Sequence, residues 1–289
     1  MQIGVPEQLL LIAGSGTYPQ LLLDGARKAG VKRISMIAVR GTTSRRLAAQ
    51  ADDACWCGIG ELSRALDWAG QCGARHAALV GLITPFALFH TRFDAVAREL
   101  LRSLPVKNTH TVYGRVAELL AERGLTTIPS STFMDDHLPA PGLLTHRAPD
   151  SREQSDIELG LRTAMAVSNH DIGQTVVVKE GMILAVEAFE GTNEAIRRGG
   201  KLGGPGAVVV KVAKVGHDMR FDIPAIGAGT IPVLKRARIT ALAFQAGRTI
   251  LLDRAEVLAA ADRLGIAIVS VDSGLPPAPV RLGGEGCRL

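Results

Sequence analysis

Aromatic residues make up only 4% of the 289 positions, and the signals that announce most enzyme classes are missing. Four cysteines, at 55, 57, 72 and 287, form neither paired CxxC knuckles nor a disulfide framework for a chain of this size. Free thiols and no structural zinc are expected. No basic run exists to follow a nucleic-acid backbone, so nucleic acid is not an expected partner. The longest apolar stretch, Ala77 to Phe89, is broken by Thr84 and Pro85 and falls short of the ~20 residues that a bilayer crossing needs. The N-terminus has no basic n-region and only a strand-sized apolar run, Leu9 to Ala13, which argues against a signal peptide. There is no GxxxxGK[ST] loop, no GxSxG elbow, and no HExxH or HxH spacing among the seven histidines, which excludes P-loop, elbow-serine and zincin chemistry. The expected compartment is the cytoplasm.

What is present is a globular composition, 47% hydrophobic and 21% charged, in a chain long enough for two domains of ~150 residues each. The formal charge is +5. Residues 1–135 hold 15 basic and 11 acidic side chains against 18 and 17 in the remainder, a slope that suits a small anionic ligand at the first part.

The first part alternates strand-like and helical patterns. Leu9–Ala13, Arg33–Val39, Ala54–Cys57, His76–Leu82 and Leu125–Pro129 read as strands, and Leu62, Ala65, Leu66 and Ala69 recur at helical spacing. Further helices are read at about Phe86–Leu104 and Val112–Arg123. This βαβ order predicts a Rossmann-like parallel sheet over residues 1–135, with ligands at the C-terminal strand ends. Residues 136–150, rich in proline and without period, read as a linker. Residues 151–289 read as a mixed α+β domain: a helix over Ser151–Val167, a hairpin of Gln174–Lys179 and Met182–Ala188 around Glu180-Gly181, a mobile glycine loop at Gly199–Gly206 and a strand at Val208–Val212. A second hairpin, Thr240–Phe244 with Thr249–Leu252 around Gly247, precedes a helix at Asp253–Leu264 and a strand at Ile266–Val271.

Two segments carry candidate chemistry. Gly14-Ser15-Gly16-Thr17-Tyr18-Pro19 joins a strand to a helix whose first N–H groups suit a phosphate. It opens like a dinucleotide fingerprint but lacks the third glycine. A plain βα turn would look the same, and Arg40, Ser44 and Arg45 would suit the 2′-phosphate of an NADP-dependent oxidoreductase. In the second segment, Lys211 to Pro224, charged and apolar residues alternate from 218 to 223. An extended chain would put Asp218, Arg220 and Asp222 on one face and Met219, Phe221 and Ile223 on the other, with Lys211, Lys214 and His217 upstream. A solvated strand face is the plain alternative. The neighbouring Glu187-Ala188-Phe189-Glu190-Gly191-Thr192-Asn193 places two acids before a helix expected to be capped by Thr192 or Asn193. Acids converging from two segments on a divalent cation, with lysines neutralising phosphate oxygens, are what phosphoryl chemistry requires. Phe86, Phe89 and Phe93 recur at helical spacing after Pro85, as a core stripe or an acyl-chain rim.

The GSGTYP turn, DIGQTVVV (171–178), AVEAFEGTNEAIRR (185–198), KVAKVGHDMRFDIPAIG (211–227) and ILLDRAEVLAAAD (250–262) together resemble the LpxI family, UDP-2,3-diacylglucosamine pyrophosphatases of lipid A biosynthesis. The resemblance spans nearly the whole chain and is densest over residues 171–265. It implies a nucleotide-binding N-terminal domain, a C-terminal catalytic domain and a lipid-linked UDP-sugar in the cleft between them. The implied reaction is Mg²⁺-dependent attack of water on the α-phosphorus, giving UMP and 2,3-diacylglucosamine 1-phosphate, with Mn²⁺ as the alternative metal.

The essential aspartate of the family falls on Asp222, with Asp218 at a second acidic position. Gly14 and Gly16, with Ser15, Thr17 and Tyr18 around them, stand where the family places the nucleotide. On this reading Asp222, Glu187 and Glu190 are the metal candidates, Asp222, Asp218 and Arg220 the catalytic ones, and Lys211, Lys214 and Thr192 the phosphate ligands. Asn193, His217 and Asn108-Thr109-His110 depart from the residues usual there. Peripheral contact with the inner membrane and a homodimer are further expectations, and a non-enzymatic nucleotide-sugar sensor is a second alternative.

Overall fold

The computed structural model describes residues 5–81, 92–105, 109–170, 172–213, 220–221, 223–272 and 274. The chain divides into two compact units, the first ending at Met134 and joined by Arg220 and Phe221, the second holding the remaining described residues.

In the first unit the order is β1 (Gln8–Ala13), α1 (Tyr18–Lys28), β2 (Arg33–Val39), α2 (Arg45–Ala48), β3 (Asp53–Cys57), α3 (Leu62–Gln71), β4 (His76–Val80), α4 (Ala95–Ser103), α5 (Thr109–Ala121) and β5 (Thr126–Thr127). The five strands form one parallel sheet in the order β3-β2-β1-β4-β5. Strand β1 pairs with β2 on one side and β4 on the other, so the chain reverses its direction of travel across the sheet there. Leu10, Ile37, Cys55, Cys57, Ala77 and Leu79 bury one face against α3, α4 and α5. The near-continuous apolar strands are those of a parallel sheet covered on both faces. Cys55 and Cys57 lie on that packed face with their sulfurs 3.5 Å apart, and burial together with the Cys55 contact pushes the Cys57 thiol up to about 12.

The second unit runs β6 (Gly142–Leu143), α6 (Ser151–Asn169), β7 (Thr175–Lys179), β8 (Met182–Val186), α7 (Thr192–Gly203), β9 (Ala207–Lys211), β10 (Ala225–Ile226), α8 (Thr230–Arg236), β11 (Ile239–Gln245), β12 (Ile250–Leu251), α9 (Arg254–Leu264) and β13 (Ala267–Val271). Six strands form a mixed sheet, β6-β13-β11-β9-β7-β8. Strands β9, β11 and β13 are mutually parallel, while β7 runs antiparallel to both β8 and β9. The period of two sorts the residues: Val176, Val178, Val208, Val210, Ala241 and Ala243 face Ile157 and Ala164 of α6. Val177, Val209, Leu242 and Phe244 face Ile196, Leu234 and Val257 of α7, α8 and α9. The sequence-level description, a parallel α/β domain followed by a mixed one, is the architecture observed.

Several local expectations are corrected. Thr240–Leu252 is not a hairpin: β11 lies parallel between β9 and β13, and β12 pairs parallel with β10. The turn at Gly247 therefore hands the chain to a different sheet. Gly199–Gly206 is not a mobile loop, since α7 runs through Gly203. A Cβ at Gly199 would lie 2.6 Å from Val177 and one at Gly200 would lie 2.5 Å from the Ala237 carbonyl. Close helix packing, not flexibility, accounts for these glycines. Gly142–Leu143, inside the stretch read as a linker, is β6 and pairs antiparallel with β13. Arg220 and Phe221 lie in a turn rather than an extended face, and the rest of the 218–222 alternation lies outside the described residues, as do Phe86 and Phe89.

Candidate functional site

In the first unit the glycine turn leaves β1 at the point where the sheet order reverses, the place where open α/β sheets receive ligands. The Gly14 amide donates to the Val80 carbonyl at 2.7 Å, tying the end of β1 to the end of β4. Beyond β4, a Cβ at Gly81 would stand 2.8 Å from the Ser15 carbonyl oxygen and 2.7 Å from the Pro19 ring. The two strand-end loops thus touch through backbone. Gly16 has φ +94°, a conformation closed to most side chains. Thr17 caps α1 with no side-chain hydrogen bond, and its side chain is exposed. The first N–H groups of the helix have no intrahelical acceptor, which favours an anion in front of them. Tyr18 serves a different purpose, since its hydroxyl donates to the Ser130 carbonyl at 2.8 Å. Burial pushes that hydroxyl far above its ordinary range, against the opposing effect of the hydrogen bond.

Arg40, the residue that would read a 2′-phosphate, is already engaged. Its guanidinium donates to the Trp56 carbonyl at 2.8 Å and pairs with Glu61. The Glu61 carboxyl also accepts the Gly58 amide, and that bond followed by Arg40 holds it below the usual carboxylate range. A groove of about 840 Å³ lined by Arg40, Thr43, Arg45 and Trp56 opens beside this pair.

The second unit gathers its polar residues around the C-terminal end of β9. Lys211 closes that strand and is 8% exposed. Its Nζ donates to the Ala225 carbonyl at 3.1 Å and lies 3.4 Å from the Thr192 hydroxyl. That hydroxyl donates to Glu187 Oε1 at 2.9 Å and sits 3.4 Å from Thr175 Oγ1. Glu187 is also 8% exposed, and its Oε2 is buried without a hydrogen-bond partner. Thr192 therefore bridges a buried carboxylate and a buried amine, a pairing that lowers the cost of burying either. Expected as a cap, Thr192 is instead the first residue of α7; the cap is Gly191 at φ +83°. That leaves the Thr192 side chain free to reach Glu187.

Two close approaches hold this geometry. A Cβ at Gly173 would lie 2.0 Å from the Glu187 carbonyl oxygen, and the Glu187 amide donates to the Thr175 carbonyl. Glu190 turns away from the cluster to pair with Arg198 at 2.5 Å, and that hydrogen bond is the main cause of its lowered pKa. At the same strand ends lie Gln245 and Thr249, fully buried, and Arg248, 7% exposed; Gln245 accepts the Ala213 amide at 2.9 Å. Sequence reading missed all three, because nothing in their spacing marks them. Their signal is the polar sequence QAGRT, which begins at the last residue of the apolar strand β11.

Of the other candidates, Asp218, Asp222, Lys214 and His217 lie outside the described residues. Arg220 belongs with the first unit, its guanidinium carbon 5.0 Å from the centroid of the Phe221 ring. Phe221 in turn lies 6.0 Å from Tyr113 and packs against the core of that unit. Among the described residues no group of three His, Cys, Asp or Glu side chains is poised to hold a metal ion.

Comparison with known proteins agrees across the chain. Residues 8–137 match the model of the LpxI N-terminal domain and residues 140–269 that of the LpxI C-terminal domain. A curated relative, the UDP-2,3-diacylglucosamine pyrophosphatase LpxI of Caulobacter vibrioides, is 30% identical over 92% of this chain and 98% of its own. Among solved structures, the biotin carboxylase domain of the Hydrogenobacter thermophilus 2-oxoglutarate carboxylase shares 13% identity at a TM-score of 0.27, over 60% of this chain and 35% of that one. Biotin carboxylase from Campylobacter jejuni gives the same score at 10% identity, over 67% of this chain and 41% of that one; neither likeness is close enough to inform the site. Both halves match in order and at nearly full length, so the chain belongs to the LpxI family.

Proposed function

We propose that this chain hydrolyses the diphosphate of UDP-2,3-diacylglucosamine in lipid A biosynthesis, by attack of water on the α-phosphorus, releasing UMP and 2,3-diacylglucosamine 1-phosphate. The observation that carries the reading is the nearly full-length match to a pyrophosphatase of that name. The buried cluster of Glu187, Thr192 and Lys211 supplies the matching chemistry.

A diphosphate diester resists hydrolysis because its anionic oxygens repel the nucleophile, so the site must neutralise charge and position water. Lys211 and the amides opening α7 are the donors for phosphate oxygens, with the glycine turn after β1 holding the nucleotide end. Asp222 orients or deprotonates the water, with Asp218 and Arg220 in support, and Lys214 adds a second cation. Mg²⁺ characteristically takes one or two carboxylates and completes its shell with water and phosphate, and the proposed set is of that kind. Glu187 Oε2 is a buried oxygen with its acceptor capacity unused, and Asp222 would be the second carboxylate. When bound, Mg²⁺ withdraws charge from the phosphate oxygens. Glu190 joins this set only by releasing Arg198. Arg40, one of the residues that would suit the 2′-phosphate of an NADP enzyme, is engaged by Trp56 and Glu61 instead.

Incubating the full chain with detergent-dispersed UDP-2,3-diacylglucosamine, Mg²⁺ and ¹⁸O-water should place the label in UMP. Label in the lipid phosphate would overturn the site of attack, and absence of product would overturn the reading. Lys211→Met should lower turnover by ~10² and Asp222→Ala by ~10²–10⁴, measured by UMP release.

A further inference from the structure

The groove of about 840 Å³ beside Arg40 falls within the ~300–1,000 Å³ of small-molecule sites. The period of two along β3 turns Cys55 and Cys57 into the core and Ala54 and Trp56 to the opposite face. There the half-buried Trp56 and the small side chains of Ala48, Ala49 and Ala54 line the groove. Thr43 ties it to the glycine turn. Its Oγ1 accepts the Val39 amide at 2.8 Å and donates to the carbonyl of Ala13, the residue before Gly14. Arg45 also lines the groove, as the first residue of α2 behind the Ser44 cap. The acids of the neighbouring segments are taken: Asp52 pairs with Arg27, Asp53 with Arg33 and Glu61 with Arg40. The exposed Arg45 guanidinium has no ion-pair partner among the described residues.

We propose that this groove receives the uracil ring of the nucleotide, stacked on Trp56 and read at its carbonyl edge by Arg45. The inference deepens the reading above, in which the substrate is a uridine diphosphate ester, and rests on it for the identity of the base. A phosphate held at the turn after β1 leaves the nucleoside over the neighbouring strand ends, and β2 and β3 are the strands on one side of β1. Stacking on an aromatic side chain needs only the π-face that every base has. Choice among bases then falls to polar groups. Arginine offers donors and no acceptor. Uracil presents two carbonyl oxygens, whereas cytosine and adenine each carry an amino group that a guanidinium opposes. Glu61, a carboxylate that could accept from such an amino group, is already engaged by Arg40 and the Gly58 amide.

The test is a fluorescence titration of the full chain carrying Trp68→Phe, which leaves Trp56 as its tryptophan, with UMP, CMP and AMP. UMP should quench Trp56 saturably, with a Kd ~10-fold or more below those of CMP and AMP. Arg45→Met in that background should raise the UMP Kd ~10-fold and bring CMP within ~2-fold of UMP. On detergent-dispersed UDP-2,3-diacylglucosamine the same substitution should act on KM rather than kcat, since the base contact is made equally before and during the reaction. Arg45 is exposed, and an unchanged dichroism spectrum would show that the fold survives its replacement. Absence of quenching, equal Kd values for the three nucleotides, tighter binding of AMP, or a UMP Kd unmoved by Arg45→Met overturns the proposal. The titrations need no turnover. Hydrolysis without base-selective quenching would sink this subsite alone, and selective quenching without hydrolysis would sink the proposed reaction alone.

Discussion

Single residues decide whether the Glu187 cluster forms. Gly173 has no room for a side chain, its Cβ position being 2.0 Å from the Glu187 carbonyl oxygen. Gly173→Ala should cost ~2–3 kcal/mol in chemical denaturation by overpacking, and should lower UMP release more than stability alone accounts for. His76 makes a second residue-scale prediction. Burial disfavours its charged ring and lowers its pKa from 6.5, so the unfolded chain takes up a proton before the folded one does. Its contribution is complete above that pH and is lost as pH falls from there toward the folded value. The thermal midpoint of the wild type should therefore fall more steeply from pH 7 to pH 5 than that of His76→Gln, by calorimetry. At this scale the sequence revealed the cast but not the poses. Glu187, Thr192 and Lys211 stand out by type and proximity, whereas the Thr192 bridge and the diversion of Glu190 to Arg198 depend on folded neighbours. Asp218 and Asp222 stood out by their alternation with apolar residues, and the family resemblance added the roles expected of them.

Among the elements, local preference and packing pull apart most clearly in α7. Replacing an interior helical glycine by alanine ordinarily stabilises by about 1 kcal/mol. Gly199 reverses that sign, because a Cβ there lies 2.6 Å from Val177 on β7. Gly199→Ala should destabilise by ~1–2 kcal/mol net, seen as a lower midpoint in urea with unchanged slope. The same conflict explains why glycine density reads as a loop from sequence: propensity is local, and the packed strand is not. α6 shows the two in agreement. Asp150 accepts the Glu153 amide at 2.7 Å and Glu153 accepts the Asp150 amide at 2.9 Å, a reciprocal capping box. The β7–β8 hairpin was readable from Glu180-Gly181, because both strands and their turn are contiguous. The β11–β12 turn uses similar residues, yet its strands find partners far along the chain, and no local signal carries that information.

The division into two compact units sets the behaviour of the whole molecule. Both tryptophans, Trp56 and Trp68, belong to the first unit, so their fluorescence reports that unit while circular dichroism reports both. The two probes should give non-coincident denaturation curves. Phe221→Ala should move the fluorescence curve, by ~1–2 kcal/mol for a partly buried ring, and leave the later or earlier dichroism phase in place. Coincident curves that shift together would show a single cooperative unit instead. The alternation of strands and helices made the first fold legible, since one period recurs through it. The return of Arg220 and Phe221 to the first unit was not, because an apolar residue in a charged run does not name its partner. That return has a consequence for biogenesis. When Met134 leaves the ribosome, the first unit has its sheet but still lacks the ring that rests on Tyr113. Translation proceeds at roughly 5–20 residues per second, so the nascent unit waits seconds for Phe221. A folding assay on stalled chains should find it protected from protease only after residue 221 has emerged.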